Sequence, residues 1–155
     1  MIEVEIESPD WTAALEDAAG LAARAAEAAL SGAGRDGDVV VLLTGDAEIA
    51  GLNQQFRAKP GPTNVLSFPA PESARPHLGD VAVAYGVTAR EAADQGKSLA
   101  DHLLHLVAHG VLHLVGYDHE GESEAETMEA LERRVLAGLG APDPYAPRAG
   151  ADHGD

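Results

Sequence analysis

Four histidines recur along one short stretch of the sequence, and histidine is the commonest metal ligand among the side chains. They stand at steps of three and four residues, which places them on one side of an α-helix: His102, His105, His109 and His113. Two imidazoles one helical turn apart project side by side and can hold one cation, and His109 and His113 have this spacing. The stretch therefore predicts a metal site on a helix, although most isolated pairs of this kind are ordinary core or surface histidines.

A third histidine, His119, follows His113 after five intervening residues. A continuing helix would carry His119 along the axis and away from the pair, so the chain must turn before it. Gly116 stands where a left-handed residue would end the helix and bring His119 towards the open side of the metal. Three neutral imidazoles leave a fourth position for water, which is the coordination of a catalytic zinc ion.

The same spacing of three histidines and a glycine occurs in metzincin proteases. Those enzymes carry a glutamate directly after the first histidine as the general base, and here that position is Gly110. Asp118, beside the third histidine, is a candidate base, but orientation of an imidazole is the role that its position favours. Peptide hydrolysis by the metzincin route therefore lacks its proton acceptor.

A second set of polar residues lies upstream, around a Pro/Gly loop at 59–62. Arg57 and Lys59 are two of only ten cations in the chain, and a guanidinium beside a hydrolytic metal would stabilise charge that develops on phosphorus. The alternative is that Arg57 is an ordinary surface arginine next to a turn, and residue types alone favour this interpretation. Thr63 and Asn64 are equally well explained by local turn chemistry.

The elements that would position these residues follow from hydrophobic periodicity. The pattern predicts four strands, at 2–6, 39–43, 63–68 and 80–85. It predicts five helices: one over 11–30, a short one that ends at about residue 55, one that starts at Thr88, one over 99–115 and one from Ser123 to about 136. Because these do not alternate as regular βαβ units, we expect a single α+β domain over residues 1–141 with a small mixed four-stranded sheet and about five helices. The Pro/Gly/Ala-rich residues 142–155 are expected to form a flexible tail.

Length, composition and charge narrow the class of protein. A chain of 155 residues with 45% hydrophobic residues can form one folded domain, and its lack of cysteine leaves any metal to histidine or carboxylate. Neither a signal peptide nor a membrane-spanning stretch is recognisable, so a cytoplasmic protein is expected. Ten Lys and Arg against 26 Asp and Glu give a formal charge of −16, which disfavours direct binding to a polyanion.

Three segments of the chain resemble one family. They are Phe56-Arg57 leading into Pro62-Thr63-Asn64-Val65-Leu66-Ser67-Phe68-Pro69, then Leu78-Gly79-Asp80-Val81-Ala82-Val83, and then His105 to Glu120 with the specific pattern HGxLHLxGYDH. Together they resemble the YbeY family of bacterial metal-dependent endoribonucleases, and the resemblance spans about residues 40 to 145.

This resemblance implies that His109, His113 and His119 bind one zinc ion and that Arg57 is the positively charged active-site residue. It implies cleavage of single-stranded RNA during 16S rRNA 3′-end maturation and ribosome quality control. The expected partner is the small ribosomal subunit, with a basic ribosomal protein supplying the affinity that an acidic chain lacks; neither DNA nor a membrane is expected. His105 matches a common family histidine, and its pairing with His109 is the rival ligand assignment.

Two other functions stay open from the sequence. The same three histidines would serve another metal-dependent hydrolase, such as a peptidase, and assays on RNA and peptide would separate the two. The other hypothesis is that the protein is an adaptor in ribosome assembly and that its metal is structural. Residues 118–134 hold seven acidic residues against two arginines, which would suit docking of a basic protein or form an ordinary solvated helix face.

Overall fold

A computed structural model describes residues 1–118 and 120–146 of the chain. The elements in order are β1 (Ile2–Ile6), α1 (Pro9–Ala14), α2 (Ala18–Gly32), β2 (Asp38–Thr44), α3 (Asp46–Arg57), β3 (Val65–Pro69), a 3₁₀ turn (Glu72–Ala74), β4 (His77–Ala84), α4 (Tyr85–Gln95), α5 (Leu99–Leu114) and α6 (Glu122–Gly138). The predicted α+β class is confirmed. Within the described part of the chain, none of the helices combines the length and apolarity that crossing a membrane requires.

The four strands form one mixed sheet in the order β1-β2-β4-β3. Both β1 and β4 run parallel to β2, whereas β3 runs antiparallel to β4 and forms an edge of the sheet. Successive side chains of β3 point to opposite faces. Val65 and Ser67 face helix α5, while Leu66 and Phe68 face the side covered by α3.

Helix α5 lies at the centre of the packing around the site. It lies against β3 and β4 on one side and contacts α2, α4 and α6 on the others. Helix α2 meets it with fully buried small side chains: Ala22, Ala25, Ala26 and Ala29. Small residues let two helix backbones approach closely, so the histidines of α5 are held in place by a dense core.

Gly110 marks the closest approach of α5 to the sheet. A Cβ atom at this position would lie 2.6 Å from Val81 Cγ1, which is closer than packed carbon atoms can stand. The Ser67 hydroxyl donates a 2.9 Å hydrogen bond to the Gly110 carbonyl and ties β3 to the helix. The position that carries the general base in metzincins is therefore occupied here by a packing glycine.

Two of the predicted helices differ from those in the structure. The helix predicted over 11–30 is two helices, because Leu15 is extended and the Trp11 indole N–H donates a 3.0 Å hydrogen bond to the Thr44 carbonyl, which holds α1 at the end of β2. The helix predicted from Thr88 begins three residues earlier, with the Thr88 hydroxyl donating to the Ala84 carbonyl. These shifts arise from tertiary contacts that periodicity does not contain.

Helix α6 begins after Gly121, so the predicted cap at Ser123 is wrong. The Glu124 carboxylate accepts a 3.2 Å hydrogen bond from the Gly121 N–H and takes the role expected for Glu126. The cap of α5 is confirmed, since the Ser98 hydroxyl accepts from the Asp101 N–H at 3.0 Å. The predicted end of α5 before Gly116 is confirmed as well, and Gly116 has a φ of 103°.

Adding a methyl group at Gly110 is expected to lower the free energy of unfolding by about 1–3 kcal/mol, because α5 must move away from Val81. Urea unfolding of Gly110→Ala measures the change. Gly51→Ala is the matched control: this helical glycine has no atom within 4 Å of a built Cβ, so its replacement should stabilise α3 by about 0.5–1 kcal/mol. Equal effects in the two variants would contradict the packing role of Gly110.

Candidate metal centre

A cleft of about 760 Å³ opens beside the β3 edge, at the C-terminal ends of helices α3 and α5. The predicted site residues Arg57, His109 and His113 all line it, although Arg57 is far from the histidines in sequence. His119 lies outside the described residues. The remaining lining is Asn53, Lys59, Thr63, Asn64, Val65, Leu66, Ser67, Pro69, Gly116, Tyr117, Asp118 and Glu120.

The imidazoles of His109 and His113 converge on the cleft. Their Nε2 atoms lie 3.1 Å apart, one helical turn apart on α5. Two nitrogen ligands of a tetrahedral zinc ion stand about 3.3 Å from each other, given Zn–N bonds of about 2.0–2.1 Å. The spacing therefore fits two ligands of one cation.

Behind His109 stands Glu132, a fully buried carboxylate on α6. Its Oε2 accepts a short hydrogen bond from His109 Nδ1, and its Oε1 accepts one from the Tyr145 hydroxyl. Burial raises the pKa of Glu132, but the neighbouring His105 and the hydrogen bonds from His109 and Tyr145 outweigh it and lower the pKa to about 2. An ionised carboxylate at Nδ1 keeps the proton there and directs the Nε2 lone pair into the cleft.

Reasoning from the sequence missed Glu132 as a functional residue. It lies in an acidic stretch where most carboxylates are solvated, but its neighbours on the helix face are the buried Met128, Leu131, Val135 and Leu136. A carboxylate on the apolar face of an amphipathic helix needs a buried partner. The position of Glu132 among apolar residues at helical spacing is therefore a signal in the sequence that this carboxylate is buried and paired.

His105 faces the same carboxylate from one turn earlier in α5. Its Nε2 lies 3.7 Å from Glu132 Oε1 and 3.4 Å from the Tyr145 hydroxyl. His105, His109 and Glu132 form a group able to hold a metal ion, with ligand atoms within 4.8 Å of one another. The structure thus contains two candidate ligand sets that share His109, one facing the cleft and one facing α6.

His102 belongs to a separate link between α5 and the start of β3. Its Nε2 lies 2.9 Å from Glu91 Oε1, and the same oxygen accepts a 3.0 Å hydrogen bond from the Asn64 side-chain amide. Burial lowers the pKa of His102, against the opposing effect of Glu91. Glu91 therefore anchors a residue of the cleft wall, and His102 holds Glu91 from the core.

The two cations of the cleft stand on the side formed by α3 and the following loop. Within residues 1–118 and 120–146, no ion pair involves Arg57 or Lys59. The Asn53 side-chain amide donates a 3.0 Å hydrogen bond to the Gly61 carbonyl and holds the loop that carries Lys59. Asp118 also lines the cleft, at the C-terminal end of α5.

The described end of the chain closes the rear of the site. Residues 142–146 turn back so that the Asp143 carboxylate accepts hydrogen bonds from Arg133 Nε at 3.3 Å and from the Tyr145 N–H at 2.8 Å. Burial and the neighbouring Glu132 raise the pKa of the Tyr145 hydroxyl, which stays protonated and donates. Residues 147–155 of the expected tail lie outside the described residues.

The fold and the cleft together define an α+β protein with a histidine and carboxylate centre of the metal-binding type. Residues 3–140 match the family described as Endoribonuclease YbeY. The chain belongs to this family, which confirms the resemblance seen in its sequence.

Individual relatives agree with this assignment. A Maricaulis maris protein named Endoribonuclease YbeY is 61% identical over 109 residues, covering 70% of this chain and 68% of the relative. A Rhodopseudomonas palustris protein of the same name is 50% identical over 159 residues, covering 97% of this chain and 92% of the relative. The solution structure of a Thermotoga maritima protein is 29% identical with a TM-score of 0.58, covering 94% of this chain and 99% of that one.

Replacing Glu132 with glutamine is expected to lower the free energy of unfolding by about 1–3 kcal/mol, because the amide cannot accept hydrogen bonds from His109 and Tyr145 together. Unfolding in urea, followed by fluorescence of the single tryptophan, Trp11, measures the loss. Glu126→Gln, at an exposed position of α6, should stay within about 0.5 kcal/mol of the parent. A Glu132 variant as stable as this control would refute the buried network.

Proposed function

We propose that this protein is a zinc-dependent endoribonuclease that cleaves single-stranded RNA in the cleft, with His109, His113 and His119 as the metal ligands. The observation that carries the proposal is the convergence of the His109 and His113 Nε2 atoms on a cleft that also contains Arg57. Membership of the YbeY family supports RNA as the substrate, since relatives of this chain are named endoribonucleases.

The cleft-facing ligand set is preferred because the oxygens of Glu132 already have partners. His109 Nδ1 and the Tyr145 hydroxyl donate to its two oxygens, so Glu132 acts as the carboxylate that orients a liganding imidazole. A set made of His105, His109 and Glu132 would have to break these hydrogen bonds. It would also place the cation behind α5 rather than beside Arg57.

The charged residues in and behind the cleft have distinct tasks in the proposed reaction. A zinc ion held there would supply Lewis-acid activation for cleavage of a phosphodiester. The Arg57 guanidinium holds the non-bridging oxygens of the phosphate and stabilises the charge that grows on them. Lys59 binds a neighbouring phosphate, and Glu132 keeps His109 in the tautomer that has its lone pair towards the cleft.

A peptidase on the same site is disfavoured by the edge of β3. Proteins commonly bind extended peptides by adding a strand to such an edge, which requires outward N–H donors. The Val65 N–H is bonded to the Asn64 side-chain oxygen at 2.6 Å, and Pro69 has no N–H. The edge is therefore a poor template for a peptide, and Gly110 stands in place of the general base.

The particular substrate that we propose is the 3′ end of 16S rRNA on the small ribosomal subunit, in the cytoplasm. The formal charge of −16 argues that the chain needs a basic partner for affinity, and a basic ribosomal protein fits this requirement. The exposed acidic residues Glu122, Glu124 and Glu126 in the first turns of α6 form a candidate docking face for it.

Removal of His113 is expected to abolish metal binding and RNA cleavage together, while His105→Ala keeps the metal. Metal content per chain, measured by elemental analysis, and cleavage of a single-stranded 16S 3′-end RNA are read on the same samples. His77→Ala is the control, because His77 pairs with Asp80 at 3.1 Å and does not line the cleft.

The opposite result would assign the metal to the set formed by His105, His109 and Glu132. Metal lost in His105→Ala and kept in His113→Ala would refute the cleft-facing assignment. A folded His113→Ala protein that loses the metal yet restores ribosome assembly in cells would favour the adaptor over the enzyme. Cleavage of a peptide but not of RNA by the parent protein would favour the peptidase.

Arg57→Ala is expected to lower kcat about 10²–10³-fold, since it removes a cation from the developing charge, and to leave metal content unchanged. Arg57→Lys should recover part of the rate because it restores the charge without the bidentate geometry. Arg24→Ala, an exposed arginine of α2 paired with Asp17, serves as the control. Unaltered cleavage by Arg57→Ala would show that the guanidinium does not contact the reacting phosphate.

A further inference from the structure

We propose that Phe56 is a stacking platform for one nucleobase of a single-stranded RNA bound in the cleft. The inference rests on the proposed function, because it assumes that RNA enters the cleft. It adds a contact to a base, whereas Arg57 and Lys59 contact phosphates. The class of ligand is a nucleobase of any sequence, because every base offers a flat π face.

The exposure of Phe56 has no structural explanation within the described residues. The side chain is 58% exposed, compared with 37% for Ile6 and Tyr145, and only the N-terminal Met1, at 87%, exceeds it among the large hydrophobic side chains of the described residues. A phenylalanine in a core usually buries most of its area. Helix α3 packs mainly through Ile49, Leu52 and Asn53, and Phe56 adds only its contact with Phe68.

The ring is nevertheless held in a defined orientation. It makes an edge-to-face contact with Phe68 of β3, with ring centroids 5.4 Å apart and an interplanar angle of 69°. Phe68 is anchored by the smaller core cluster of Ile49, Leu66, Ala82 and Ala84. A braced aromatic ring with much of its area exposed loses little conformational entropy when a base stacks on it.

The position of Phe56 matches the path expected for the RNA backbone. It directly precedes Arg57 on α3, and its partner Phe68 shares the α3 side of the sheet with the cleft-lining Leu66. Phosphates should follow the side of the cleft that carries Arg57 and Lys59 and avoid Asp118 and Glu120, which also line it. Phe56 is not itself among the cleft-lining residues, and a strand that follows this side of the cleft reaches its ring just beyond Arg57.

Docking of a protein is a weaker explanation for the exposed ring. Protein interfaces are built on contiguous apolar patches of several hundred Å². The residues beside Phe56 in the chain, Gln54, Gln55 and Arg57, are polar and exposed. A single ring among polar groups and cations is the pattern of single-strand binding proteins, in which stacking alternates with phosphate contacts.

The test is a binding experiment in which a base and the ring are removed separately and together. The probe is a series of fluorescein-labelled 12-nucleotide 2′-O-methyl RNAs, each with one abasic position, titrated with the full metal-loaded chain by fluorescence anisotropy. Gels run after each titration check that the RNA is intact. The proteins are the parent, Phe56→Leu, Phe56→Trp and the control Ile6→Ala, which removes an exposed apolar side chain from β1.

One abasic position should weaken binding to the parent protein about 5- to 100-fold, the range measured for one stacked base. Phe56→Leu should lose the same factor on intact RNA and be insensitive to that abasic position. Phe56→Trp should bind as tightly as the parent, and Ile6→Ala should not differ from it. Thermal unfolding of each variant checks that leucine at 56 leaves the fold intact.

An equal abasic penalty in the parent and in Phe56→Leu would overturn the stacking role. The titrations are run at low ionic strength, where contacts between phosphates and the two cleft cations are strongest, and a parent protein that binds none of the RNAs there would overturn it as well. Cleavage of unmodified RNA is measured separately on the same proteins. Coupling between the ring and one base without any cleavage would support the platform and overturn the endoribonuclease proposal. Cleavage of RNA without coupling between the ring and a base would support the endoribonuclease proposal and overturn the stacking role of Phe56.

Discussion

The packing of helix α5 on strands β3 and β4 at Gly110 is the constraint on which the rest of the site depends. A Cβ at this position would meet Val81 at 2.6 Å, so the helix can lie this close to the sheet only without a side chain there. The close approach lets Ser67 bond the helix backbone and brings the edge of β3 beside His109 and His113. The cleft lies where this helix end and strand edge face the end of α3.

The rear of the same helix carries a second, buried polar layer. Glu132 contributes a charge to the core, which is costly unless every oxygen has a donor. His109 and Tyr145 supply those donors, and His105 adds a third group on the same side. One layer therefore serves two purposes, because it connects α5, α6 and the chain after α6 while it sets the tautomer of a histidine that faces the cleft.

Charge is distributed so that an acidic protein presents cations where a phosphate would lie. The formal charge is −16, yet Arg57 and Lys59 stand together in the cleft. The net negative charge repels nucleic acid, whereas these two cations attract a phosphate to their side of the cleft. It suits an enzyme that acts on RNA presented by a basic partner more than one that binds RNA along its length.

The sequence by itself determined the local features: the helix of α5 with its cap at Ser98, its end before Gly116, the histidine stripe and the family. These follow from neighbouring residues, because helical periodicity and capping act over a few positions. The split of the first helix, the role of Glu132 and the meeting of Arg57 with the histidines were decided only by tertiary structure. They depend on contacts between residues tens of positions apart, such as the bond from Trp11 to the end of β2, and such contacts leave no periodic trace in the chain.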